Sequence, residues 1–194
     1  MDMDATHVDS VVSIHMDAFQ GFFLTFLGRP FLRLYYENIC FYSGAIKLVS
    51  VLDGNICGFV VGVVNPAGFY KKLIKRDLIR FAIATLPALI KRPRILARLT
   101  RALNKPKQAI EGQNIAELTS IAVNGDCLNT GVGKSLVQKF EDEARSRGCN
   151  LIYLTTDSND NDSVNAFYLR QGFSSSSSYV THEGRHMNVY TKEI

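Results

Sequence analysis

Residues 117–173 decide the fold. They open on Glu117-Leu118-Thr119-Ser120-Ile121-Ala122-Val123, pass through Leu128-Asn129-Thr130-Gly131-Val132-Gly133-Lys134-Ser135, and close on Phe167-Tyr168-Leu169-Arg170-Gln171-Gly172-Phe173. The run Leu118 to Val123 is apolar and β-like, and Lys134 to Arg147 has the spacing of an amphipathic helix. A glycine loop between them feeds a helix N-terminus. Such a loop aims several backbone N–H groups at one point, and the helix dipole adds partial positive charge there. The predicted ligand is a pyrophosphate.

Two readings compete for the loop. Gly133-Lys134-Ser135 supplies the end of a nucleotide P-loop, but the first glycine of that pattern falls on Leu128, and only 59 residues follow Ser135, too few for a large parallel sheet. The second reading is an acyl-CoA site. It needs a Gly-x-Gly loop, a strand before it, a strand after the helix and a hydroxyl near the thioester, and the chain offers all four.

The segment resembles the GNAT family of acetyl-CoA-dependent N-acetyltransferases. The family's loop, [Gln/Arg]-x-x-Gly-x-[Gly/Ala], is matched by Leu128-Asn129-Thr130-Gly131-Val132-Gly133 except at its first position, where Leu128 removes one side-chain contact to phosphate. The later family element, Asn-x-x-[Ala/Val]-x-x-[Phe/Leu]-Tyr-x-x-x-Gly-Phe, is matched by Asn161, Val164, Phe167, Tyr168, Gly172 and Phe173. The resemblance covers roughly the last eighty residues well and the first half in outline.

The family likeness implies an α/β fold. Its central sheet is mixed and mostly antiparallel, with a splayed parallel strand pair and helices on both faces. Pantetheine then lies in the splay against the backbone of Ile121, Ala122 and Val123, and residues Leu128, Asn129, Thr130, Gly131, Val132, Gly133, Lys134 and Ser135 hold the pyrophosphate of acetyl-CoA, the cosubstrate. A bulge near Ser120 or Ile121 would account for the splay. The implied reaction is acetyl transfer to a primary amine. Tyr168 is the candidate acid for the departing thiolate, because a phenol can donate to it. Glu117 is the candidate base, at a strand end where burial would tune a carboxylate. His15, on the first helix beside the acceptor cleft, is a second candidate base. Asn161 is expected to touch the cofactor, cap the helix, or both.

The remaining residues outline the rest of the domain. Helices are predicted over His7–Phe26, with caps offered by Ala5-Thr6 and Asp9-Ser10, and over Phe31–Ile39 after the break at Gly28-Arg29-Pro30. Ala45–Leu52 and Ile56–Val64 read as a hairpin about Asp53-Gly54-Asn55. Further strands are predicted at Gln113–Val123, Leu151–Thr156, Phe173–Val180 and Met187–Lys192, with Gly148 closing the long helix and a short helix at Val164–Arg170 capped by Asn161 or Ser163.

The chain has 194 residues, 46% of them apolar, which fits one globular domain over 1–194. Cys40, Cys57, Cys127 and Cys149 show no C-x-x-C spacing, so they read as reduced thiols in a cytoplasmic protein with no metal site. The acidic N-terminus argues against a signal peptide, and no apolar run is long enough to span a bilayer.

The net charge of +4 is unevenly spread: residues 71–107 hold twelve of the 22 basic residues and one acid, which makes that stretch +11 and the remainder −7. Residues 69–107 read as an inserted basic helical hairpin with breaks at Pro87 and Pro93. The insert can bind an anionic acceptor, dock on an anionic membrane surface, or serve as a solvated lid or homodimer arm. Without aromatic-interleaved stacking residues, no nucleic acid partner is expected. The acceptor is expected to be a small molecule, such as a nucleotide- or lipid-linked amino sugar. A CoA-binding sensor without turnover is the alternative, with Leu128 as its mark.

Overall fold

The computed structural model describes residues 1–91 and 112–194. The second arm of the expected basic hairpin lies outside them.

The chain opens with a short 3-10 turn, Ala5–His7, capped by Asp4, which lies upstream of both expected caps. The Asp4 carboxylate accepts from the Thr6 N–H at 2.8 Å, and His7 Nδ1 accepts from the Asp4 N–H at 3.1 Å. Helix α1 (Val8–Ala18) then buries Val8, Val11, Val12, Ile14 and His15. The single helix expected over His7–Phe26 is two helices. The chain leaves α1 at Phe19, Gly21 takes φ +85°, and α2 runs Phe23–Leu27. The Thr25 hydroxyl donates to the Phe19 carbonyl at 2.7 Å and holds the turn shut. Helical spacing of Phe19 and Phe23 conceals this break, because both still pack on the core. Helix α3 (Arg29–Cys40) starts with Pro30 in its first turn, where a missing N–H costs nothing.

Strands β1 (Ala45–Leu52) and β2 (Asn55–Val64) form the predicted hairpin, with positive φ at Asp53 and Gly54. Helices α4 (Phe69–Arg76) and α5 (Leu78–Lys91) follow; the expected break at Pro87 is absent, since α5 runs through it, and the chain breaks at Asp77 instead. After residue 111 come β3 (Ile115–Val123), a 3-10 turn Gly125–Cys127, α6 (Val132–Ser146), β4 (Leu151–Asp157), α7 (Asp162–Arg170), β5 (Ser174–Val180) and β6 (His186–Glu193). The serine run is thus an edge strand.

The six strands lie in the order β1-β2-β3-β4-β6-β5, antiparallel except for the β3/β4 pair. This is the mixed, mostly antiparallel sheet that was expected. Helices α1 to α5 cover one face, over a core that includes Tyr35, Tyr36, Phe59 and Phe69. Helices α6 and α7 cover the other, over Leu136, Phe140, Ile152 and Tyr168.

The β3/β4 pairing is short. It runs Ile115↔Leu151, Ala116↔Ile152 and Glu117↔Tyr153, and stops. At the next step β3 carries a bulge against β2: Gly62 pairs with Leu118 and Val61 with Ser120, so Thr119 is the extra residue. The bulge falls one residue before the expected position. A bulge bends its strand and shifts the alternation of its side chains. Ala116 and Leu118 face α6, and beyond the bulge Ile121 also faces α6 while Ala122 packs with α1 and α3. Without Thr119 as the odd residue, Ile121 would point the other way.

Candidate functional site

Where β3 leaves β4, a cavity of about 520 Å³ opens. Ile121, Ala122 and Val123 line it from β3, Leu128, Asn129, Gly131, Gly133 and Lys134 from the glycine loop, and Val164, Phe167 and Tyr168 from α7. Sequence-distant halves of the 117–173 stretch therefore meet across one cleft.

The loop geometry follows from its residue types. Asn129 takes φ +61° and Gly131 φ +85°, a region that Asn tolerates and Gly prefers. The Thr130 hydroxyl donates to the Cys127 carbonyl at 2.6 Å, which closes the loop on itself. The first α6 bond runs from the Ser135 N–H to the Gly131 carbonyl at 3.0 Å. The helix therefore leaves the amides of Val132, Gly133 and Lys134 unpaired at its positive end. A Cβ built on Gly133 would point at the Phe167 ring, 3.5 Å away, and into the cavity.

Opposite the loop, Tyr168 is buried and its ring packs against Phe167, Phe173 and Tyr190. Burial pushes its phenol above the usual range, so it stays protonated at neutral pH. The α7 helix is pinned to the sheet by Asn165, whose amide Nδ2 donates to the carbonyls of Asp157 (3.1 Å) and Asn161 (2.9 Å). Its Oδ1 accepts from Tyr190 Oη and Asn188 Nδ2. The sequence pattern does not single out Asn165, since nothing local predicts a partner 25 residues away.

Asn161 holds the N-cap position, but its side chain makes no capping bond. Its Nδ2 donates instead to Thr156 Oγ1 (2.9 Å) and the Asp157 carbonyl (3.0 Å), tying the loop to the end of β4. Thr130 and Val132 turn away from the cavity, the first toward Cys127 and the second into the α6 core.

Glu117 and His15 lie on the other face of the sheet, under α1 and α3. Glu117 is half-buried in register with Tyr153, the last pair before the splay. The phenol of Tyr153 is driven up by burial and then by the Glu117 carboxylate beside it. His15 is 3% exposed; its Nδ1 lies 2.7 Å from Tyr36 Oη. Its Nε2 is buried with no hydrogen-bond partner. Burial lowers the His15 imidazole from the usual 6.5 to about 4. Burial also drives the Tyr36 phenol well up, with Ser120 of the bulge hydrogen-bonded to it. The end of β4 carries a pair the sequence did not reveal: Arg185 donates to both Asp157 carboxylate oxygens, with its guanidinium 4.4 Å from the Phe22 ring centroid.

The cysteine reading is corrected at two positions. Cys57 and Cys127 form a disulfide, with Cα atoms 5.7 Å apart, while Cys40 and Cys149 are free thiols. The Asn124 N–H donates to the Cys57 carbonyl at 2.7 Å and folds the 3-10 turn back over β2. Seventy residues separate the two cysteines, and sequence spacing cannot supply such a pairing. Among the described residues, no group of three or more His, Cys, Asp or Glu could hold a metal ion, and no helix is long and apolar enough to cross a membrane.

A family model described as the acetyltransferase (GNAT) family matches residues 9–173. A comparison of the sequence with curated proteins gives no match. Among solved structures, the chain is similar to a ribosomal-protein-alanine N-acetyltransferase from Brucella melitensis (TM-score 0.65, 14% identity, 100% of this chain and 98% of that one). It is also similar to an N-acetyltransferase from Staphylococcus aureus Mu50 (TM-score 0.66, 13% identity, 100% and 96%). A third similar structure is an aminoglycoside 6'-N-acetyltransferase complexed with coenzyme A (TM-score 0.63, 14% identity, 100% and 95%). At these identities the likeness is one of fold.

Proposed function

This chain belongs to the GNAT acetyltransferase family, and on that premise we propose that it moves an acetyl group from acetyl-CoA to the primary amine of a small molecule, a nucleotide- or lipid-linked amino sugar. The observation that carries the reading is the convergence of the unpaired Val132–Lys134 amides, the bulge-driven splay and the Tyr168 phenol on one cavity.

In this reading, the α6 amides hold the diphosphate of the cosubstrate, with Lys134 and Ser135 as added donors, and the main chain of Ile121 to Val123, unpaired with β4, lies along pantetheine. The acceptor enters from the α1–α3 face. Glu117 takes the amine proton, the new N–C bond forms, a β3 amide at the splay stabilises the oxyanion, and Tyr168 donates its proton to the departing sulfur. Glu117 is preferred to His15 because an imidazole with a pKa of about 4, already engaged by Tyr36, is a weak base at neutral pH. Leu128 replaces the family's Gln/Arg at the loop's first position, so that side-chain contact to phosphate is lost and the backbone amides carry most of the binding.

A small acceptor is favoured over a peptide because α4 and α5 add a further layer on this side of the sheet, with α5 packed on α2 and α3, that would crowd an open peptide groove. The basic segment 71–107 supplies charge complementary to an anionic acceptor. Use of acetyl-CoA sets the reaction in the cytoplasm, where reduction would open the Cys57–Cys127 pair.

The test is release of free CoA thiol across a panel of amines, amino sugars included. The reading expects acceptor-dependent release, reduced about 100-fold in kcat by Glu117→Gln with CoA affinity retained. Tight CoA binding with no release for any amine would instead mark a CoA-binding sensor.

A further inference from the structure

Helix α5, Leu-Ile-Arg-Phe-Ala-Ile-Ala-Thr-Leu-Pro-Ala-Leu-Ile-Lys, is apolar apart from Arg80, Thr85 and Lys91. One side is explained: Phe81, Thr85 and Ala88 are buried, and the Phe81 ring packs 5.2 Å from that of Phe31 in α3. The opposite side carries Ile79, Ile83, Leu86 and Ile90, spaced four, three and four residues apart and therefore on one arc. They are 75%, 61%, 51% and 81% exposed. A solvated helix face carries charge there, and a contiguous aliphatic stripe marks a surface that something covers.

The charge on α4 and α5 selects the occupant. Lys72, Lys75, Arg76 and Arg80 are exposed on α4 and α5, and of these Arg80 is paired with Glu37 and Asp77. The one acid in residues 69–91, Asp77, is held by Asn38 and Arg80. A second copy of the chain would set these lysines and arginines against their own counterparts. A protein partner is usually gripped by Trp, Tyr or Arg anchors in pockets, whereas this arc is convex and aliphatic. Aliphatic residues flanked by lysine and arginine match the boundary between acyl chains and anionic headgroups.

We infer that the α5 face Ile79–Ile83–Leu86–Ile90 docks the enzyme on an anionic lipid bilayer, with the basic residues of α4 and α5 against the headgroups. This goes beyond the acetyl-transfer reading and stands whether or not that reading holds.

The experiment is co-sedimentation of the full chain with vesicles of phosphatidylglycerol and phosphatidylcholine, against vesicles of phosphatidylcholine alone. The expected result is binding at least about tenfold stronger to the anionic vesicles, weakened by salt. The double variant Ile79→Ser/Ile83→Ser should lose about tenfold of that binding, while its CoA release with a neutral soluble amine stays at the parent rate. Four results overturn the inference. They are equal sedimentation with both vesicles, undiminished binding by the variant, a dimer by light scattering that the variant dissolves, and a melting temperature lowered by the variant. The last would show the stripe to be packed against the chain itself. Vesicle binding needs no acceptor, so a failure here is distinct from a failure of the acetyl-transfer assay.

Discussion

His15 Nδ1 sits 2.7 Å from the Tyr36 hydroxyl, and the pair bridges α1 and α3 beneath the splayed strands. The imidazole is neutral there because burial lowers it from 6.5 to about 4. The unfolded chain therefore binds more protons than the native one between those values. Stability from the neutral state is fully present above pH 6.5 and is lost as pH falls toward 4. Unfolding free energy is expected to drop by about 2 to 3 kcal/mol between pH 7 and pH 4.5 through this residue. Denaturant melts of the parent and of His15→Phe at both pH values measure it. The variant should show a shallower pH dependence, and identical dependence in the two proteins would remove His15 as the cause.

Tyr168 faces the cavity from a buried position that keeps its phenol protonated. Tyr168→Phe is expected to lower kcat by about 10- to 1000-fold with CoA affinity retained, because the ring contacts persist and only the proton is lost. Steady-state kinetics beside equilibrium binding check this. An unchanged kcat would leave the phenol with packing alone.

The Cys57–Cys127 link anchors the turn that launches the glycine loop. Thiol titration of the oxidised, denaturant-unfolded chain should find two groups, Cys40 and Cys149, and four after reduction. Without denaturant those two should react slowly, since burial pushes both thiols up. Four reactive thiols in the chain after oxidation would contradict the pairing.

The fold was legible where its causes are local. The Gly131-x-Gly133 loop, the Asp53-Gly54 turn and the Phe167-Tyr168…Gly172-Phe173 element state their own backbone requirements, so the β1–β2 hairpin could be placed from its turn and the strand–loop–helix–strand order from residues 117–173. What stayed hidden depends on partners far apart in the chain. The bonds of Asn165 to Asn188 and Tyr190, the Arg185–Asp157 pair and the Cys57–Cys127 link each join residues 23 or more positions apart, and no periodicity encodes such pairings. The break between α1 and α2 was missed for a different reason: Phe19 and Phe23 satisfy helical spacing and core burial at once, so only the Gly21 backbone reveals the turn. The bulge was anticipated within a residue because splaying a parallel pair needs one. Its register depends on Gly62, where any Cβ would strike the Glu117 carbonyl and the Phe140 ring.

The amides of Val132, Gly133 and Lys134 are the centre of this account, and calorimetry tests them most directly. Coenzyme A should bind with measurable heat, and pantetheine, which lacks the diphosphate, should bind at least about 100-fold more weakly. Equal affinity for the two, or no heat with either, would contradict a diphosphate site at the α6 N-terminus.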